Sequence, residues 1–156
     1  MSGFQKFPRI SPFLWFDSNA EEAVDFYVSV FQNSRRLEEF RVPDDRSGPK
    51  GRVLTIAFEL DGQKFTALNG GPHFKFNEAL SLVVRCDSQQ EVDEYWEKLS
   101  AGGSEVQCGW LKDKFGLSWQ VVPAQISKLI SHPKAMEAML KMKKLDIAAL
   151  ECAAQS

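Results

Sequence analysis

The strongest constraint on the fold of this chain is that it repeats itself. Ser18-x-x-Glu21 and Ser88-x-x-Glu91 stand seventy residues apart, and each precedes apolar residues at helical spacing. Ser-x-x-Glu is a capping box, in which the serine and glutamate side chains satisfy amides that a helix start leaves open. Ala23, Phe26-Tyr27 and Val30 follow the first box, and Val92, Tyr95-Trp96 and Leu99 follow the second, at an offset of sixty-nine. A short apolar strand precedes each box and strand-rich sequence follows each helix. A period this long marks a duplicated supersecondary unit. The caps and the helix faces differ in offset by one residue, a mismatch that the order of elements leaves open.

In the first half, Ser11–Phe16 reads as a strand, with Pro12 at a tolerated first or edge position. The first helix ends at Gln32-Asn33-Ser34. Arg35–Val42 reads as a polar strand, Pro43–Pro49 as a loop, and Gly51–Leu60 and Gln63–Leu68 as a hairpin turning at Asp61-Gly62. Asn69-Gly70-Gly71-Pro72 breaks the pattern. In the second half, Leu80–Cys86 is the strand, Ala101-Gly102-Gly103 the helix stop, and Trp110–Pro123 a hairpin around Asp113-Lys114-Phe115-Gly116. Pro123, lacking an N–H, ends that ladder. The expected class is α+β: one domain of two βαβββ repeats, residues 10–72 and 79–123, forming a cupped mixed sheet, with a C-terminal helical extension over 124–156. In the extension, His132-Pro133 opens a helix with proline in its first turn. Met136, Met139, Leu140 and Met142 give it an apolar stripe for the sheet or for a second subunit.

A net charge of −2 supplies no general attraction to nucleic acid or to an anionic membrane. No apolar run approaches the ~20 residues of a membrane span, and the first residues lack the apolar core of a signal peptide. The expected location is the cytoplasm. Cys86, Cys108 and Cys152 are odd in number and far apart, without a CxxC pair, which argues against a disulfide framework or a zinc knot. Cys86 ends an apolar run and reads as a buried structural thiol.

Three segments carry a family resemblance: PFLWFDSNAEEAVDFY (12–27), LNGGPHFKFNEALS (68–81) and CGWLKDKFGLSWQVVP (108–123). With the βαβββ repeat, they resemble the vicinal oxygen chelate superfamily, which includes glyoxalase I, extradiol dioxygenases and bleomycin- and fosfomycin-resistance proteins. Within it they resemble the PhnB-like branch, over most of Ile10–Leu150. That branch often carries a 3-demethylubiquinone 3-methyltransferase-like label. The chain has no glycine-rich strand-to-helix turn followed by an acidic ribose-binding residue, as a Rossmann-like methyl-donor site would show.

The resemblance implies a cup at whose centre metal-bearing relatives hold a divalent ion with four side chains. Those positions map to Pro12, Thr66, Ser81 and Gln120; a register one residue away puts Ser11 or Phe13 in place of Pro12. A divalent site normally needs imidazole, carboxylate or thiolate ligands. Of the four, only Gln120 offers a good donor, through its carbonyl. His73 and His132 fall on none of these positions. The expectation is no metal and no cofactor.

Without an ion the cup itself remains. Trp15, Phe58, Trp110 and Trp119 are candidates for its walls, and Thr66, Asn69, Ser81 and Gln120 for its polar contacts, a mixture suited to a small molecule. Strand alternation puts Trp119 and Gln120 on opposite faces, and the resemblance favours Gln120 as the inward one. The competing reading makes these aromatics ordinary core. Lys112 and Asp113 read either as an acid/base pair at the mouth or as a solvated turn, and Asn69-Gly70-Gly71 either as an anion nest or as a linker. Three functions follow: a metal-free protein binding an apolar or aromatic small molecule, a metal-dependent or acid/base enzyme, or a structural subunit with a closed cup. The resemblance also implies a homodimer.

Overall fold

The computed structural model describes residues 3–156. The chain divides into two compact units, at Lys75 and Phe76, and each contains one of the repeats.

The first unit runs β1 (Phe13–Phe16), α1 (Ala20–Val30), β2 (Arg35–Arg41), a 3-10 turn (Asp45–Ser47), β3 (Val53–Leu60) and β4 (Gln63–Asn69). Its sheet has the order β1-β4-β3-β2, with β1 parallel to β4 and the other neighbours antiparallel. Alternation sends Leu14, Phe16, Ile56, Phe58, Phe65 and Ala67 to the helix side, where they are buried with Ala20, Ala23, Val24 and Tyr27 of α1. Phe58 stacks on Tyr27 at 6.4 Å and on Phe65 at 5.2 Å between ring centroids, contacts that add to the apolar burial itself.

The second unit runs β5 (Ser81–Cys86), α2 (Gln89–Ser100), β6 (Ser104–Glu105), β7 (Trp110–Lys112), β8 (Ser118–Pro123), α3 (Ile126–Leu129), α4 (Pro133–Leu140) and α5 (Ile147–Ala154). Its sheet, β5-β8-β7-β6, again pairs its first and last strands in parallel. The α+β class and the duplicated mixed sheets are as the sequence indicates.

The two helix starts resolve the one-residue mismatch. Ser18 does not cap α1; the N-cap is Asn19, whose side chain makes no capping bond. Asn69, at the end of β4, does that work from a distance: its Oδ1 accepts from Ala20 N–H at 2.9 Å, and its Nδ2 donates to Val53 C=O at 3.0 Å and to Glu21 Oε1 at 2.6 Å. In α2 the box is local. Ser88 Oγ accepts from Glu91 N–H at 3.2 Å, and Glu91 Oε2 accepts from Asp87 N–H at 3.0 Å. The true caps, Asn19 and Ser88, are sixty-nine residues apart, the same offset as the helix faces.

Residues 124–156 are not an appendage. Cys108 and Gly109 donate backbone bonds to Met142 and Lys143 carbonyls, each at 2.8 Å. Gln89 donates to Leu145 C=O at 3.0 Å and accepts from Ile147 N–H at 2.8 Å. Leu145 and Leu150 are fully buried. Leu145 packs where Gly109, at φ +83°, presents no Cβ. The methionine stripe is less committed: Ala135 is the buried residue of α4, while Met136 and Leu140 are exposed. Among the described residues no helix is long and apolar enough to cross a membrane.

Candidate functional site

In the first unit the sheet face away from α1 carries Phe13, Thr55, Ala57 and Thr66, placed there by register: Phe13 lies opposite Thr66, and Thr66 opposite Ala57. Phe40 lies opposite Thr55 and extends the same face. Over it comes the N-terminal segment, where Phe4 and Phe7 meet edge to face at 5.3 Å and Lys6 C=O accepts from Lys64 Nζ at 3.2 Å. Strand face and segment together form an open cavity of about 240 Å³, lined by Gly3, Phe4, Phe7, Phe13, Glu38, Phe40, Thr55, Ala57 and Thr66, in which Phe4, Phe13 and Phe40 remain exposed.

Thr66 is the distinctive residue of this cavity. It is 4% exposed, and its hydroxyl has no hydrogen-bond partner among the described residues. A buried hydroxyl without a partner costs stability, on the order of 1–3 kcal/mol.

Thr66 and Trp15 share this sheet face, as the sequence indicates, but Trp15 is otherwise engaged. Its Nε1 donates to Gly71 C=O at 3.0 Å, its ring meets Phe74 edge to face at 4.8 Å, and there is no room for a Cβ at Gly70 against its indole. That contact, rather than an anion nest, accounts for Gly70. Phe58 and Asn69 are not cup residues. Both point to the helix side, Phe58 into the aromatic stack and Asn69 into the α1 cap. Pro12 also misses the cup position: the residue opposite Thr66 is Phe13.

Ser81, Trp110 and Gln120 fall together in the second unit. Gln120 lies opposite Val83 and Trp110, and its Nε2 donates to Ser81 Oγ at 3.0 Å. Trp119 faces the other way, buried, as alternation requires. Its Nε1 donates to Asp113 Oδ2 at 2.8 Å, while Asp113 Oδ1 accepts from Phe115 N–H at 2.8 Å and Leu117 N–H at 3.1 Å. Asp113 is therefore a buried turn anchor, neither a solvated residue nor a partner of Lys112. Lys112 pairs instead with Glu78, whose carboxyl is held below its ordinary range by that hydrogen bond. Cys86 is a buried thiol pushed up to about 12 by desolvation, with Glu91 and Asp87 adding to the shift; it has no nucleophilic character. Ser118, the first residue of β8, has a second buried hydroxyl without a partner among the described residues.

Phe4, Phe7, Glu38, Phe40, Thr55 and Ala57 escaped the sequence reading, while Phe13 entered it as the alternative register to Pro12, the one found opposite Thr66. Once Thr66 is placed on the cup face, alternation and the hairpin register yield Ala57 and Thr55. For the N-terminal pair the available signal was two phenylalanines three apart in otherwise polar surroundings.

The family profile described as 3-demethylubiquinone-9 3-methyltransferase matches residues 8–122. The PhnB protein from Bacillus cereus, which carries the same methyltransferase description, is 34% identical; the match covers 75% of this chain and 100% of that one, with a TM-score of 0.69. This chain belongs to the PhnB-like family. It is thereby a member of the vicinal oxygen chelate superfamily, with the glyoxalase/bleomycin resistance fold. Protein PA1353 from Pseudomonas aeruginosa shares the fold at 20% identity, over 74% of this chain and 97% of that one, with a TM-score of 0.62. So does the fosfomycin resistance protein FosX from Listeria monocytogenes, solved with Mn(II) and sulfate, at 13% identity, over 78% and 98% of the two chains, with a TM-score of 0.52. No curated protein matches this sequence.

The PhnB-like chain can be tested for a divalent ion of the superfamily kind by its donors. In the first unit Thr66 lies opposite Phe13, and Glu38 is the one carboxylate among the described residues lining the same cavity. In the second, Gln120 and Ser81 bond each other. Among the described residues no three His, Cys, Asp or Glu side chains gather where they could hold an ion. These donors do not fit a divalent cation, which selects imidazole, carboxylate or thiolate.

Proposed function

We propose that this protein is a metal-free small-molecule-binding member of the PhnB-like branch, and that the ligand site is the phenylalanine-lined cavity of the first unit. The observation that carries the reading is the cavity itself, walled by Phe4, Phe7, Phe13 and Phe40, with Thr55, Thr66 and Glu38 as its polar lining; the Thr66 hydroxyl is buried and has no partner among the described residues. Apolar walls with a few placed polar groups give a pocket both affinity and orientation. An apolar cavity of about 150 Å³ holds a benzene ring, so the volume here suits a single-ring compound with one polar substituent. The open cavity weighs against a cup packed shut. The methyltransferase description of the family gains no support from the strand-to-helix connections, which are Asp17-Ser18-Asn19, Asp87-Ser88 and Ala124-Gln125 and contain no glycine to admit a nucleotide.

Benzyl alcohol is a suitable probe, being one ring with one hydroxyl. Titrated into the labelled protein and followed by amide chemical shifts, it should produce saturable changes at Phe13, Thr55, Ala57 and Thr66. Shifts that do not saturate, or that are confined to the second unit, would overturn the assignment.

A further inference from the structure

Given the first-unit cavity as the ligand site, we infer that its ligand is a monoanion, an aromatic or compact apolar carboxylate. The inference rests on a second lobe that adjoins the first. This lobe is about 230 Å³ and shares Gly3, Phe7, Glu38 and Ala57 with the phenylalanine-lined one, but its remaining walls are Lys6, Arg35, Leu37 and Lys64. Phenylalanines dominate the first lobe and cations the second, and Phe7 lines both.

The cations of the second lobe are under-compensated, and the strand register says why. Glu59 lies directly opposite Lys64 on β4 and also opposite Arg35 on β2. One carboxylate thus stands between two cations, and it pairs with Arg35 at 3.4 Å. Lys64 turns instead to Lys6 C=O and to the face of the Phe7 ring, 5.5 Å from its centroid. Among the described residues neither Lys64 nor Lys6 makes an ion pair. With Glu38 in the wall, three cations face two carboxylates. That balance suits a single negative charge; a dianionic phosphate would remain undercompensated.

A carboxylate whose ring occupies the first lobe would bring its charge toward Lys64 across Phe7. Partly exposed ion pairs contribute modestly, so the expected preference is a matter of several-fold rather than orders of magnitude.

The test compares phenylacetate with phenylacetamide, two ligands of the same shape that differ in charge, by calorimetric or chemical-shift titration at pH 7.5 and low salt. The carboxylate should bind about fivefold more tightly, and the ratio should shrink as salt screens the lobe. Lys64→Gln should bring the ratio toward one, and Glu59→Gln should raise it. Equal binding of the two ligands, tighter binding of the amide, or a ratio indifferent to both substitutions would overturn the anionic assignment while leaving the cavity reading in place. Failure of both ligands to bind would overturn the two together.

Discussion

The two repeats share a strand order and a helix offset, yet they solve the same problems with different chemistry. The first unit caps its helix from across the sheet with Asn69, and its open sheet face holds a phenylalanine-rich cavity and a buried hydroxyl without a partner among the described residues. The second caps its helix locally with Ser88, satisfies Gln120 with Ser81, and draws the C-terminal segment into its core through Gln89 and Leu145. Duplication preserves backbone architecture because burial of one sheet face demands it. The side chains on the opposite face are free to diverge, and that divergence leaves the first unit with a cavity and the second with a mutually satisfied Gln120–Ser81 pair.

The largest expected difference between the units is in alkaline stability. At the helix-side end of its first strand the second unit has Cys86 where the first has Phe16. The Cys86 thiol is raised from 9.0 to about 12 by burial, so the unfolded chain loses this proton first. Its contribution is intact below about pH 9 and is lost as pH rises toward 12, at a slope of up to about 1.4 kcal/mol per pH unit. Urea denaturation at successive pH values should show Cys86→Ala declining less steeply than the parent across that window.

Next in size is the contrast between the caps. Asn69→Ala removes the acceptor for Ala20 N–H and the donor to Val53 C=O, both buried, and should cost about 2–3 kcal/mol. Ser88→Ala loses a single exposed cap and should cost about 1 kcal/mol. Equal losses in chemical denaturation would remove the distinction between remote and local capping.

The frame of this fold was legible because turns and helix faces announce themselves locally. Asp61-Gly62 and Asp113–Gly116 fixed both hairpins, and the Phe26-Tyr27 and Tyr95-Trp96 pairs fixed both helices. Which face a strand residue takes was harder to read. In VLTIAFEL of β3, Leu54, Ile56, Phe58 and Leu60 share one parity, which places Phe58 with the core; its reading as a cup wall followed its aromatic ring and not that alternation. Asn69 read as a chain-breaker because its partners, Ala20 and Val53, lie forty-nine and sixteen residues away. The Phe4–Phe7 wall of the cavity is a tertiary contact of a segment without periodicity. The part of the site that could be read, Thr66 and Trp15 on one face and Ser81, Trp110 and Gln120 on another, came from family resemblance and alternation together.

The most direct test of the central claim, that the first unit's cavity takes a ligand that engages Thr66, uses the two unpartnered buried hydroxyls as each other's control. Thr66→Val and Ser118→Ala each remove one, and only Thr66 lines the phenylalanine cavity. Stability in urea and benzyl alcohol affinity should be measured side by side for both variants and the parent. Thr66→Val should match or exceed the parent in stability, by up to about 1 kcal/mol, and weaken the ligand about fivefold, while Ser118→Ala binds as the parent does. A Thr66→Val protein that is less stable and binds benzyl alcohol as tightly as the parent would contradict the account.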